Sequence, residues 1–182
     1  VGAMSVSPCA RYLAYSLDTD GSERFTLFVR DLESGELLPD TIPGTLSALV
    51  WTGDSKAILY GLANEQWRTD NARLHWLGAD PADDIELYHE ADEGFRVDVG
   101  MTNSEKFLVI ATGDNETSEE RFLPAADPLA TPLLVRARKK GVEYDVEEHD
   151  GTRFIHTNED STHFSLKTAS IKTPGTWKER IA

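Results

Sequence analysis

One pattern recurs four times along this chain: a tight turn delivers a basic residue into a short apolar run. The copies read Ser7-Pro8-Cys9-Ala10-Arg11 before Tyr12-Leu13-Ala14-Tyr15, and Gly53-Asp54-Ser55-Lys56 before Ala57-Ile58-Leu59-Tyr60. Asn103-Ser104-Glu105-Lys106 precedes Phe107-Leu108-Val109-Ile110, and Asp150-Gly151-Thr152-Arg153 precedes Phe154-Ile155-His156-Thr157. Arg11, Lys56, Lys106 and Arg153 are spaced by 45, 50 and 47 residues. A fixed interval of this size means that one supersecondary unit is being copied, each copy needing its neighbour to bury an apolar face.

Each unit divides into strand-length pieces. The first offers Ala3 to Val6, Tyr12 to Leu17, Phe25 to Asp31 and an outer strand near Leu37 and Leu38. Within it Phe25, Leu27 and Val29 alternate with Thr26, Phe28 and Arg30, the period-two mark of a strand with unlike faces. The second offers Ala48 to Trp51, Ala57 to Leu62, Arg73 to Leu77 and Ile85 to His89. Phe95 to Met101, Phe107 to Thr112, Arg121 to Leu123 and Leu133 to Arg136 make the third; Tyr144 to Glu148, Arg153 to Thr157, Phe164 to Ser170 and Trp177 to Ile181 the fourth. No long stretch carries the 3.6-residue helical period. The expectation is an all-β chain of about four four-stranded antiparallel blades of a β-propeller, over residues 1–44, 45–93, 94–141 and 142–182. A β-sandwich is the structural alternative, and closure into a compact four-bladed ring is the alternative to an open arc.

Charge narrows the partners. The chain has 32 acidic and 18 basic residues and a net charge of −14. Residues 1–135 hold −15 of this and residues 136–182 hold +1. Nucleic acid is a poor partner for such a surface, because phosphate binding needs a cationic surplus. No segment approaches the ~20 apolar residues of a membrane-spanning helix. The single cysteine, Cys9, permits no internal disulfide, and a cytoplasmic location is expected. The chain opens at Val1 without a secretory signal pattern and reads as a piece of a longer protein. Asp83-Asp84, Asp92-Glu93 and Glu119-Glu120, set against Arg136, Arg138, Lys139 and Lys140, are read as a solvated face. The sharper reading is an acidic field that concentrates peptides rich in Lys or Arg.

Chemical motifs are sparse. There is no Gly-x-Ser-x-Gly elbow, no phosphate-binding glycine loop and no paired-cysteine pattern, so no residue is assigned to catalysis. No metal or cofactor is expected, and the substrate-binding residues are unknown at this point. His149, His156 and His163 recur every seven residues but fall on separate strands, which does not bring them together. Asp18-Thr19-Asp20-Gly21 starts like a calcium loop, yet Val29 stands where a bidentate Glu is needed. Asn115-Glu116-Thr117 fits the glycosylation sequon. Trp51, Trp67, Trp76 and Trp177 are assigned to sheet packing, and Tyr60 and Phe107 to the core.

Several stretches, in order, resemble the prolyl oligopeptidase family, and its oligopeptidase B subfamily in particular. They are Ser7-Pro8 with Tyr12 to Asp18 and Gly21-Ser22-Glu23, Phe25-Thr26-Leu27, Asp31 to Asp40, Leu87 to Phe95, Gly141 to Glu147, and Thr157 to Asp160 with Phe164. One stretch departs. Where the subfamily typically has an Arg-Pro pair before a Trp-Arg-His, this chain has Arg68-Thr69-Asp70 and Leu74-His75-Trp76.

The resemblance implies a serine oligopeptidase with a C-terminal α/β-hydrolase domain bearing a Ser-Asp-His triad, capped by a seven-bladed propeller that admits short peptides. It implies cleavage after Arg or Lys. This chain would supply about four blades, with the hydrolase domain as its missing partner, basic oligopeptides as substrates, and exposed blade faces that favour self-association. The alternative is a free-standing propeller scaffold that binds a protein or peptide.

Overall fold

The computed structural model describes residues 1–161 and 163–181, apart from the side chain of Ser47. Ala182, the last residue of the fourth expected blade, lies outside the described residues. β1 (Met4–Val6), β2 (Tyr12–Leu17), β3 (Phe25–Asp31), β4 (Leu37–Trp51), β5 (Ala57–Ala63), β6 (Thr69–Trp76) and β7 (Ile85–His89) form one antiparallel sheet in chain order. β8 (Arg96–Met101), β9 (Phe107–Gly113), β10 (Ser118–Pro124) and β11 (Leu133–Leu134) form a second. β12 (Tyr144–His149), β13 (Thr152–Thr157), β14 (Ser165–Ser170) and β15 (Lys178–Ile181) form a third. The only helical element among the described residues is a 3₁₀ turn at Pro81–Asp83.

The seven-stranded sheet is two blades joined by one long strand. β4 pairs with β3 from Leu37 to Thr45 and with β5 from Thr45 to Trp51, and its register against β5 shifts between Thr45 and Leu49. The sequence suggests two separate strands here. They merge because Gly44 takes φ +77°, a left-handed conformation that costs glycine little, so the chain bends without leaving the sheet. β6 begins at Thr69 rather than Arg73, and β10 at Ser118 rather than Arg121. Those added turns of strand are polar but buried (Thr69, Asp70, Glu119, Glu120), so hydrophobic periodicity is blind to them.

The repeated turn has a repeated geometry. Ser7, Thr52 and Thr102 each accept, at the side-chain oxygen, the amide of the residue five positions on: Tyr12 at 3.0 Å, Ala57 at 3.0 Å and Phe107 at 3.3 Å. Ala10, Ser55 and Glu105 then take φ of 59°, 62° and 57°, turning the following basic residue outward. The fourth copy is shorter. Asp150 and Gly151, at φ 47° and 76°, make the two-residue hairpin that needs both central residues left-handed. That shift places Arg153 inside β13, buried, whereas Arg11, Lys56 and Lys106 are exposed.

Blades are glued by the faces between them. Ala14, Leu27, Val29 and Ile42 of blade 1 meet Trp51, Ile58 and Tyr60 of blade 2. Ala57, Leu59, Ala72 and Leu74 of blade 2 meet Val97, Val99, Leu108, Ile110, Leu123 and Ala125 of blade 3. Phe122 and Val135 of blade 3 meet Tyr144, Val146, Ile155 and Ala169 of blade 4. Removing a buried leucine such as Leu108 costs about 2–5 kcal/mol, because the neighbouring blade cannot follow the missing atoms. None of the buried clusters among the described residues joins blade 4 back to blade 1, so the blades form an open arc rather than a closed ring.

Candidate functional site

Alternating strand direction gathers the β5–β6, β7–β8 and β9–β10 loops at one rim of the arc. Between them lies a polar cleft of about 790 Å³. Asn64, Gln66 and Arg68 form one wall, Glu93, Gly94 and Arg96 the second, and Gly113, Asp114 and Asn115 the third.

Its walls are held by their own side chains. Arg68 Nη1 donates to the carbonyls of Asp92 and Phe95, both at 2.9 Å, and of Glu90 at 3.4 Å, so one guanidinium ties the second wall to the first. Asn64 accepts the amides of Gln66 and Arg68 and donates to Asp70 at 2.7 Å. Asp114 Oδ1 accepts the amides of Glu116 and Thr117 at 2.8 and 2.7 Å, closing the third loop. Beneath the cleft, Arg138 grips Glu90 with two hydrogen bonds of 2.9 and 3.1 Å and lies 4.0 Å over the Phe95 ring. Burial works against the charge on Glu90, but Arg138, the Asp92 amide and the Tyr88 hydroxyl outweigh it and hold the carboxyl below its ordinary value. The framework is therefore rigid, while Gln66, Glu93, Arg96, Asp114 and Asn115 are exposed to a guest.

Two exposed carboxylates, two carboxamides and one exposed guanidinium can bind the amides and carbonyls of a peptide and favour a cationic side chain. Nothing in the cleft supplies a nucleophile with a base beside it, and among the described residues no group of three or more His, Cys, Asp or Glu is placed to hold a metal.

The residues singled out by sequence are scattered. His149 and His156 are exposed and pair with Asp150 and Asp145, at 3.4 and 4.0 Å, and the His156 ring stacks on Phe164. His163 is also exposed. Asp18 spends its oxygens on the amides of Asp20, Gly21 and Glu23, capping its own loop. Asn115 lies in the cleft. Trp51 is fully buried and donates to the Ser5 carbonyl, Trp76 and Trp177 pack against core clusters, and Trp67 is exposed beneath the Arg24 guanidinium. Tyr60 is buried, and Phe107 packs at the edge of the blade 3–4 core.

One reading is corrected. Asp84, Glu119 and Glu120 are not a solvated face: all three are buried, Asp84 after the 3₁₀ turn against Tyr60 and His75 of its own blade, Glu119 and Glu120 on β10 where blade 3 meets Tyr144 of blade 4. Sequence reasoning also missed Arg68 as the organiser of the cleft. Its signal was the departure at Arg68-Thr69-Asp70, which marks a loop with its own wiring.

The family model for the N-terminal β-propeller domain of prolyl oligopeptidase matches residues 1–182. The chain belongs to the prolyl oligopeptidase family. Dipeptidyl aminopeptidase BI of Pseudoxanthomonas mexicana is 34% identical over 100% of this chain and 26% of its own length. Protease 2 of Moraxella lacunata is 32% identical over 85% of this chain and 23% of its own length. Oligopeptidase B of Leishmania major superposes with a TM-score of 0.90 at 27% identity, over 97% of this chain and 26% of that one. The Trypanosoma brucei oligopeptidase B, in a closed form with covalently bound antipain, gives 0.88 at 27% identity, over 100% and 26%. As a propeller of this family, the chain spans about a quarter of the length of these relatives. No helix among the described residues is long and apolar enough to cross a membrane.

Proposed function

We propose that this chain is part of the substrate-gating propeller of a cytoplasmic serine oligopeptidase that cleaves short peptides after Arg or Lys. The Ser-Asp-His triad would reside in a C-terminal α/β-hydrolase domain outside this chain, and that domain is its partner. The observation that carries the reading is the rigid polar cleft at one rim, with Glu93 and Asp114 exposed on two of its walls. Loops pinned by Arg68 and Arg138 do not spread for a folded protein, but a single extended strand of peptide fits between them. The net charge of −14 raises the local concentration of cationic peptides.

The test uses the full-length protein and fluorogenic peptides that differ only in Arg, Lys or a neutral residue before the reporter. Glu93→Gln and Asp114→Asn each raise KM for the cationic peptides by ~2- to 5-fold, the worth of an exposed charge pair, and leave the neutral peptide unchanged. Equal effects on all three peptides, or none, refute the reading. The isolated chain hydrolyses none of them; cleavage blocked by a serine-hydrolase inhibitor in pure material would sink the assignment of catalysis elsewhere.

A further inference from the structure

A fully buried charge cluster sits where blade 1 meets blade 2. His75, on β6, has a carboxylate against each ring nitrogen: Nδ1 lies 2.7 Å from Asp84 Oδ1 and Nε2 lies 2.9 Å from Asp40 Oδ1. Asp40 belongs to the blade 1 half of β4, where the register against β3 slips between Phe28 and Arg30, the kind of irregularity that re-aims a side chain. Asp84 follows the 3₁₀ turn of blade 2. From β5, the Tyr60 hydroxyl donates to Asp84 Oδ2 at 2.8 Å; from the β6–β7 loop, the Gly78 amide donates to Asp40 Oδ1. From β6, Arg73 Nη2 donates to the Asp84 carbonyl at 2.8 Å. His75, Asp40 and Asp84 have side chains at 0%, 0% and 1% exposure, so bulk water does not reach the cluster, and Asp40 Oδ2 has no hydrogen-bond partner among the described residues.

Valence decides the protonation state. A neutral imidazole has one N–H and one lone pair, and an ionised carboxylate only accepts. Two carboxylates facing two ring nitrogens therefore need two N–H groups. Asp84 already accepts the Tyr60 hydroxyl, and Asp40 accepts the Gly78 amide, which favours the ionised form of Asp40. The additional proton belongs on the ring.

We propose that the Asp40–His75–Asp84 cluster is a proton-operated latch: doubly protonated His75 fastens the outer strand of blade 1 to blade 2, and loss of one proton at alkaline pH frees that edge. A neutral ring points a lone pair at a buried carboxylate and leaves its charge uncompensated, the arrangement that makes a half-broken buried pair costly.

Titration behaviour agrees in direction. Burial opposes the charged ring, but the hydrogen bonds to Asp40 and Asp84 outweigh it and hold His75 above its ordinary value. Burial likewise opposes Asp40, yet its bonds from His75 and Gly78 hold it below the usual carboxylate range. A raised histidine contributes fully below about pH 6.5 and loses its contribution as pH climbs through the folded value; a lowered carboxylate contributes above about pH 4 and fails on acidification. The alkaline release is His75's, and the acid limb is Asp40's.

The experiment is amide hydrogen exchange on the full-length protein, corrected for intrinsic base catalysis, over peptides covering residues 37–43 and 74–85. In the native protein their opening constant rises by up to tenfold per pH unit above about pH 6.5, until the ring has titrated. Asp84→Asn is the decisive variant. Its amide nitrogen donates to Nδ1 and its oxygen accepts from Tyr60, so a neutral ring donating from Nε2 to Asp40 leaves neither ring nitrogen facing a group it cannot pair with. In this variant the same peptides lose that pH dependence and keep their protection at neutral pH. His75 C2–H exchange, followed by mass spectrometry in the unsubstituted protein, needs no variant and titrates above 6.5. A midpoint at or below that value, or wild-type protection no more pH-dependent than that of Asp84→Asn, overturns the latch.

Discussion

Glu120 shows how a seam between blades can carry a hidden charge cost. It lies on β10 between blades 3 and 4, is 6% exposed, and its Oε2 has no hydrogen-bond partner among the described atoms. Burial raises its pKa first, then the like charge of Asp145; the Val146 amide and the Arg153 guanidinium pull back, and the outcome is about 8 against an ordinary 4.5. A carboxyl raised by folding holds its stability contribution below the unfolded value and loses it as pH rises through the folded one. Between pH 4.5 and 7 the unfolded chain releases a proton that the folded chain keeps, at about 1.4 kcal/mol per pH unit, so folding loses ~3 kcal/mol over that interval. Gln matches the protonated acid in shape and charge and does not titrate. Glu120→Gln is therefore expected to pull ahead of the native protein by ~3 kcal/mol between pH 4.5 and 7, a factor of ~10² in the opening constant. Hydrogen exchange of amides in β10 and β12, in the intact protein at both pH values, reads this directly. A stability gap that stays constant within ~0.5 kcal/mol across the interval refutes the burial argument.

Three further outcomes follow from the packing. Phe122 is fully buried against Phe107, with the Arg153 guanidinium 4.7 Å over its ring, so Phe122→Ala leaves both a void and a bare cation; a loss of about 3–5 kcal/mol is expected in thermal or urea unfolding, and less than 1 kcal/mol counts against it. Cys9 is exposed, and the Ser7 hydroxyl 3.3 Å from its Sγ is the largest of the contacts that lower its thiol to about 7, so iodoacetamide alkylation should rise with that midpoint and move upward in Ser7→Ala; an unmoved midpoint removes Ser7 as the cause. Blade 1 leaves Met4, at 69% exposure, and Val6, at 53%, on the open face beside Leu13, Tyr15, Leu17 and Phe28, so the isolated chain should self-associate through it. Light scattering that reports only monomer over a wide concentration range, or no gain in monomer on Val6→Lys, sinks that expectation.

Much of the fold was legible because it is local. The Ser or Thr that opens each of the first three turns, the left-handed residue after it and the alternating apolar run beyond are all short-range features, and each recurs at a blade's length. Strand ends were less legible. Thr69-Asp70 and Glu119-Glu120 read as polar loop, yet they are strand, since their hydrogen-bonding partners come from elsewhere in the sheet and from the next blade. The cleft was hardly legible at all. Arg68, Glu93 and Asp114 share no motif, and only the crossing of three loops at one rim makes them neighbours.

Sequence alone determined the number of blades, their strand order and the family, because backbone propensity, turn chemistry and period-two alternation act within a blade. Tertiary structure decided what each alternating face meets. Whether Arg153 points to water or to Phe122, whether Glu120 keeps its proton, and whether His75 finds two carboxylates instead of one all depend on a partner that arrives from a different blade. Electrostatics falls off with distance in space rather than along the chain, so the charges that govern the seams became readable only when the blades were packed.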